Sequence, residues 1–237
     1  MQLQQKKEEI KMQQIDIDLE TFLSYPAIKP GIIHLTGTDI YKHSPLSLPV
    51  LKHIENNLDN VVFKNLSTQK AYLYYQKKYF GYMMEFNNKI SLIKDAIYKG
   101  VIIDLNKFLL ELLNIIEKLN SLNLCYWDFH QKNIYANNDG KPFIIDVDDM
   151  IYNPNNEDLH DQRKYLSEFI IYLYFKKDLS TIKFARNEVI EHFFNKKTLD
   201  YLEDIDNLSI PAPDLPYILL EEFQDEEKIR LIKRRIK

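Results

Sequence analysis

LNLCYWDFHQKNIYANNDGKPFIIDVDDM, residues Leu122 to Met150, decides how the rest of the chain is read. Asp128 is followed five positions later by Asn133, and an apolar run ends in Asp146, with Asp148 and Asp149 close behind. Between the two halves, Asn137-Asn138-Asp139-Gly140 separates Ile134–Ala136 from Phe143–Ile145, which reads as a strand, a turn and a second strand. A carboxylate just after a helix and another at the end of a strand fall at the edges of elements, facing a cleft. Oxygen donors of this kind suit Mg²⁺, which takes one or two carboxylates and leaves the remaining positions to water and substrate phosphates. A separate carboxylate nearby can orient or deprotonate a hydroxyl nucleophile, the division of labour that phosphoryl transfer requires.

Working back from this stretch, Asp104 is a good N-cap. Leu105, Phe108, Leu109, Leu112, Ile116 and Leu119 then recur at helical spacing, which predicts a buried helix leading into the motif. Further back the period shortens. Val61–Phe63, Ala71–Tyr75 and Tyr79–Phe86 read as strands, with Gln76-Lys77-Lys78 as a polar hairpin tip. Ser47–Leu58 has the spacing of a short helix, and Thr36-Gly37-Thr38 reads as the turn of a hairpin between Gly31–Leu35 and Asp39–Tyr41. Residues 1–20 are glutamine-rich and charged, and are expected to be a surface helix or disordered. After the motif, residues 160–176, 186–205 and 216–236 are helical in pattern. Strands with one helix first and helices afterwards predict an α+β protein in two lobes.

Composition narrows the function. The 237 residues carry 31 basic and 35 acidic side chains, net charge −4, which does not suggest a nucleic-acid binder. Five glycines leave no glycine-rich phosphate loop. The single Cys125 excludes intramolecular disulfides and cysteine-rich zinc sites, and its place at the end of an apolar run reads as a small buried hydrophobe. No apolar run approaches the ~18 residues of a membrane span, and no signal-peptide core is seen. The expectation is a soluble, cytoplasmic protein with no membrane and no nucleic-acid partner.

WDFHQKNI followed by IIDVDD resembles the catalytic loop and metal-binding motif of the protein-kinase-like superfamily, in the form of a small atypical bacterial-type kinase with an aminoglycoside-phosphotransferase-like loop. YFGYMMEF, Tyr79–Phe86, likewise resembles the strand that enters the kinase hinge. The likeness covers about residues 30–175 and is strongest over 122–149. It implies a single kinase-like domain: an N-terminal extension (1–20), a small β-rich N-lobe with one helix (21–86) and a helical C-lobe (87–237).

By the same resemblance ATP and Mg²⁺ are the cofactors. Asp128 is the catalytic base, Asn133 and Asp146 hold the metal with Asp148 as a further ligand, and Glu85 and Phe86 lie by the adenine. A phosphate-orienting lysine paired with a helix glutamate is expected as well. Lys42 and Glu55 are the candidates, meeting within about 4 Å, with Lys64 as the alternative lysine. The acceptor is a hydroxyl, of protein serine or threonine or else of a small molecule. Trp127 stands where protein kinases usually carry arginine, which leaves a phosphorylated activation loop without an obvious partner. That departure, the missing glycine loop and the open assignment of the lysine keep a third reading in play: a pseudokinase acting as a binding module.

Overall fold

The computed structural model describes residues 12–57, 64–85, 89–176, 194–204 and 215–235. The chain divides into two compact units, Met1–Phe63 with Ser67–Asn87, and Lys64–Leu66 with Asn88–Lys237. A six-stranded sheet occupies the first and most of the helices the second, so the protein is mixed α+β.

The first unit runs β1 (Gln13–Asp16), α1 (Leu19–Ser24), β2 (Ala27–Lys29), β3 (Ile33–Thr36), β4 (Asp39–His43), α2 (Leu48–Asn56), β5 (Gln69–Tyr75) and β6 (Lys78–Glu85). The sheet order is β1-β5-β6-β4-β3-β2, antiparallel except where β1 lies parallel to β5. Both tight hairpins follow from backbone chirality. Thr36 pairs with Asp39 around a turn whose Gly37 has φ +71°. Tyr75 pairs with Lys78 around Gln76 and Lys77, both left-handed at φ 50° and 64°. Two left-handed turn residues match the right-handed twist of the flanking strands. Lys78 therefore opens β6 and is not part of the tip. Gly81 sits where β6 comes closest to β4: a Cβ there would lie 2.0 Å from the Lys42 carbonyl oxygen. Ala71, Leu73 and Tyr82 of the sheet are buried, as are Leu51 and Ile54 of α2.

The extension expected to be helical or disordered is, over Gln13–Asp16, a strand. Local propensity yields here to pairing. The residues from Gln13 to Asp16 align with Ala71 to Tyr74 along the edge of β5, and Ile17 N–H continues the ladder to the Tyr74 carbonyl at 2.8 Å. Residues 1–11 lie outside the described residues, as does the strand expected at Val61–Phe63.

The second unit contains β7 (Ile90–Leu92), α3 (Ile93–Tyr98), α4 (Leu105–Ser121), β8 (Leu124–Cys125), β9 (Ile134–Asn137), β10 (Pro142–Ile144), β11 (Ile151–Tyr152), α5 (Asn156–Phe175), α6 (Lys196–Asp204), α7 (Leu215–Glu222) and α8 (Glu226–Arg235). Its strands form a small sheet β10-β9-β7 and a pair β11-β8. The Asp104 carboxylate accepts from Lys107 N–H at 2.9 Å and starts α4 as its spacing predicts. That helix buries Phe108, Leu109, Leu112, Leu113, Ile115, Ile116 and Leu119, each side chain contributing about 1.5–3 kcal/mol of transfer free energy. A capping box between Asn155 and Asp158 starts α5 four residues earlier than the periodicity suggests, at Asn156 rather than 160. The single helix expected over 216–236 is two, because Asp225 caps a new start by accepting from Lys228 N–H at 2.9 Å. Of the helix expected at 186–205, residues 196–204 are helical and 186–193 lie outside the described residues. Among the described residues no helix is long and apolar enough to cross a membrane.

Candidate active site

The site is assembled from the chain that follows α4. Asn123, left-handed at φ 58°, turns the backbone out of the helix, and its carbonyl accepts from Asn153 N–H at 2.9 Å. Leu124 and Cys125 then pair with Tyr152 and Ile151. The next residues make a series of tight turns. Phe129 N–H donates to the Trp127 carbonyl, His130 N–H to the Asp128 carbonyl, and Asn133 and Ile134 N–H both donate to the His130 carbonyl, at 2.9–3.2 Å. These turns fold the five-residue interval back on itself. As a result the Asn133 side-chain amide donates from Nδ2 to Asp128 Oδ2 at 2.6 Å. On the other side of the same carboxylate, His130 Nε2 stands 3.3 Å from Oδ1.

Tyr126 joins this loop to the strand carrying Asp146. Its ring is buried, and its hydroxyl donates to the carbonyls of Asp128 at 3.1 Å and Ile145 at 3.4 Å. Ile145 N–H in turn donates to the Asn133 carbonyl at 3.0 Å. Burial pushes the Tyr126 phenol well above its ordinary range, and the carboxylates of Asp128, Asp146 and Asp149 push it further. The Tyr126 hydroxyl thus links the backbone of Asp128 to that of Ile145, the residue before Asp146. Behind it, the buried Gln162 of α5 donates from Nε2 to the Tyr126 carbonyl at 2.9 Å and accepts from Asn120 Nδ2 of α4 at 2.8 Å.

Asp146 follows β10 in the left-handed region, φ 61° and ψ 45°. Aspartate and asparagine visit this region more readily than other side chains, yet it still costs on the order of 1–2 kcal/mol. Such a residue persists where its surroundings hold it, and these places concentrate at functional sites. A 3₁₀ turn, Val147–Asp149, comes next and buries both Val147 and Asp148. The Asp149 carbonyl accepts from the Trp127 indole at 3.0 Å, and the indole, 41% exposed, leans on Tyr165 of α5 with ring centres 6.4 Å apart. Burial first, then the Asp146 carboxylate, also raises the Tyr135 phenol.

The donor chemistry fits a hard cation. With its NH₂ group fixed on Asp128, Asn133 turns its amide oxygen away from that carboxylate. Among the described residues no group of three or more histidine, cysteine, aspartate or glutamate side chains is placed to hold a metal.

The first unit holds the other candidates. Lys42, the fourth of the five residues of β4 and paired with Ile33 and Tyr82, is only 7% exposed, which sets it apart from an ordinary surface lysine. Glu55 accepts from Met12 N–H through Oε1 at 2.8 Å and from the Tyr72 hydroxyl through Oε2 at 2.7 Å. Glu85 ends β6 opposite Asp39 and is exposed, whereas Phe86 lies outside the described residues. Lys64, in the second unit, is exposed. Cys125 is buried, its thiol pushed up to about 12 by burial, as its reading as a small hydrophobe requires.

Two residues of the site escape the sequence reading. Tyr126 gives one signal, a hydroxyl at the end of the apolar run LCYW directly before the motif. Gln162 gives none. A scan against protein-family models finds no match to this chain, and a search of the curated proteins finds none either.

Proposed function

We propose that the protein is an ATP- and Mg²⁺-dependent phosphotransferase with a hydroxyl acceptor, its two units being the lobes of a kinase-like fold. The observation that carries this reading is the Asp128–Asn133 contact, which makes a five-residue spacing into one polar group beside a left-handed Asp146. Asp128 takes the proton of the acceptor hydroxyl on a carboxylate oxygen as the hydroxyl oxygen bonds to the γ-phosphorus, while the bond from that phosphorus to the β,γ-bridging oxygen breaks and ADP leaves with the bridging oxygen. Asn133 holds the carboxylate in place through Nδ2 and, with Asp146 and Asp148, would hold the metal. When bound, the cation supplies neutralisation of charge on the transferring phosphate. Lys42 paired with Glu55, and Glu85, are the nucleotide-binding candidates of the first unit. The acceptor is a serine or threonine hydroxyl of a protein, with a small-molecule alcohol as the alternative.

The test is turnover of labelled ATP by the full chain, alone and with cell lysate. Asp128→Ala and Asp146→Ala each lower turnover by orders of magnitude on this reading. Unchanged turnover in both would sink it, and label confined to a low-mass fraction would move the acceptor to a small molecule.

A pseudokinase that binds a partner is the alternative reading. Thermal unfolding with Mg-ATP separates the two. A working site gains about 2.7 kcal/mol of apparent stability at a hundredfold excess over the dissociation constant, and the pseudokinase reading gains nothing.

A further inference from the structure

The loop also holds a histidine beside Asp128 that the proposed mechanism has not yet used. His130 lies two residues after Asp128, and its ring is hydrogen-bonded at Nδ1 with Nε2 close to the Asp128 carboxylate. Nδ1 accepts from the backbone N–H of Lys132 at 3.1 Å, and Nε2 stands 3.3 Å from Asp128 Oδ1. A backbone N–H can only donate, so Nδ1 is the bare nitrogen and the ring proton is assigned to Nε2, pointing at the carboxylate. The histidine's own backbone is tied to the same place. Its N–H donates to the Asp128 carbonyl, and its carbonyl accepts from Asn133 and Ile134.

We infer that His130 is a positioning residue for Asp128: held by Lys132 N–H as the Nε2–H tautomer, it fixes the carboxylate plane from one side while Asn133 fixes it from the other. A carboxylate has about four acceptor positions on its two oxygens. Asn133 occupies one on Oδ2, and a proton on His130 Nε2, 3.3 Å from Oδ1, would occupy another and hold the carboxylate against rotation about the Cβ–Cγ bond. Asn133 alone would leave that rotation free about a single contact. His130 thereby divides from Asn133 the two tasks the loop performs. Asn133 has an amide oxygen for a cation as well as a donor, whereas the two ring nitrogens of His130 are both committed to holding the loop.

The value of this for catalysis rests on Asp128 being the base, but the tautomer and the contact do not, and the experiment keeps the two apart. Long-range ¹H–¹⁵N spectra of the imidazoles, at mildly alkaline pH on the full chain, assign His130 by its disappearance in His130→Gln. The expected spectrum has a protonated Nε2 and an acceptor Nδ1, perturbed by Asp128→Asn. A protonated Nδ1, or a ring exchanging between tautomers, overturns the inference. In turnover of Mg-ATP, His130→Ala lowers kcat about tenfold with little change in KM for ATP, as loss of a supporting hydrogen bond does. His130→Gln, whose side-chain NH₂ reaches about as far as Nε2, recovers most of that loss. Wild-type kcat in His130→Ala, or equal defects in both variants with both folded by circular dichroism, also overturns it. If the wild-type protein shows no turnover, the phosphotransferase reading fails, and the positioning of Asp128 is decided by the imidazole spectrum alone.

Discussion

Asn133 donates to Oδ2 of Asp128 at 2.6 Å across five residues of chain, so the orientation of each side chain depends on the other. Charge-assisted hydrogen bonds of this length are among the stronger ones in proteins.

The first expected outcome is non-additivity. Asp128→Asn and Asn133→Ala each reduce ATP turnover by roughly 10²–10⁴-fold, and the double variant is little worse than the poorer single. Initial rates for the four proteins of the cycle measure it. Losses that multiply would show two independent groups.

Gln162→Met tests the support behind the loop. The substitution nearly conserves shape but strips the Tyr126 carbonyl and Asn120 Nδ2 of their buried partner. Unfolding in urea should show a loss of about 1–3 kcal/mol. A variant within experimental error of wild type would mean that water replaces the glutamine.

Alkaline pH should weaken the protein. Burial raises the phenols of Tyr72, Tyr126 and Tyr217, and that of Tyr174 to about 12. Above about pH 10 the unfolded chain releases these protons while the folded chain keeps them. The folded state then binds more protons than the unfolded one, so stability falls as pH rises. Below about pH 9 the contribution is fully present. Thermal melts across this range, with ultraviolet titration of the phenols, check it, and Tyr126→Phe should flatten part of the slope.

Gly81→Ala examines the sheet beneath Lys42. The added methyl would meet the Lys42 carbonyl oxygen at 2.0 Å and Ser44 N at 2.9 Å, and both are backbone atoms. Crowding of this kind costs about 1–3 kcal/mol. At this chain length that lowers Tm by about 2–12 °C. Calorimetry of the two proteins decides the matter, and an unchanged Tm would require β4 and β6 to move apart.

The parts of the fold legible in the sequence are those whose information is local. The helix Leu105–Ser121 announces itself through Asp104 and six apolar side chains at helical spacing, five of which are buried, and the hairpin at Gln76-Lys77 through polar residues between two aromatic runs. The strand Gln13–Asp16 has no such signature, because what holds it is the free edge of β5. The break at Asp225 is a matter of one cap, invisible to a period that continues through it on both sides.

At the candidate site the same division applies. Asp128, Asn133 and Asp146 stand out by type and spacing, while the buried hydroxyl of Tyr126 and amide of Gln162 acquire meaning only when distant backbone groups need a partner. Glu55 illustrates the converse. Its place on α2 is readable, but its choice of Met12 and Tyr72 depends on a strand the sequence does not show.

Trp127 has one more consequence. It is the sole tryptophan of the chain, its indole nitrogen is anchored to the Asp149 carbonyl, and its side chain directly precedes Asp128 in the loop. Excited at wavelengths where the 16 tyrosines are dark, it makes the loop its own optical probe. Any molecule that settles beside Asp128, or any shift of the 3₁₀ turn at Asp149, changes the polarity around a single fluorophore. Its emission can then be followed in the unlabelled, unmodified protein.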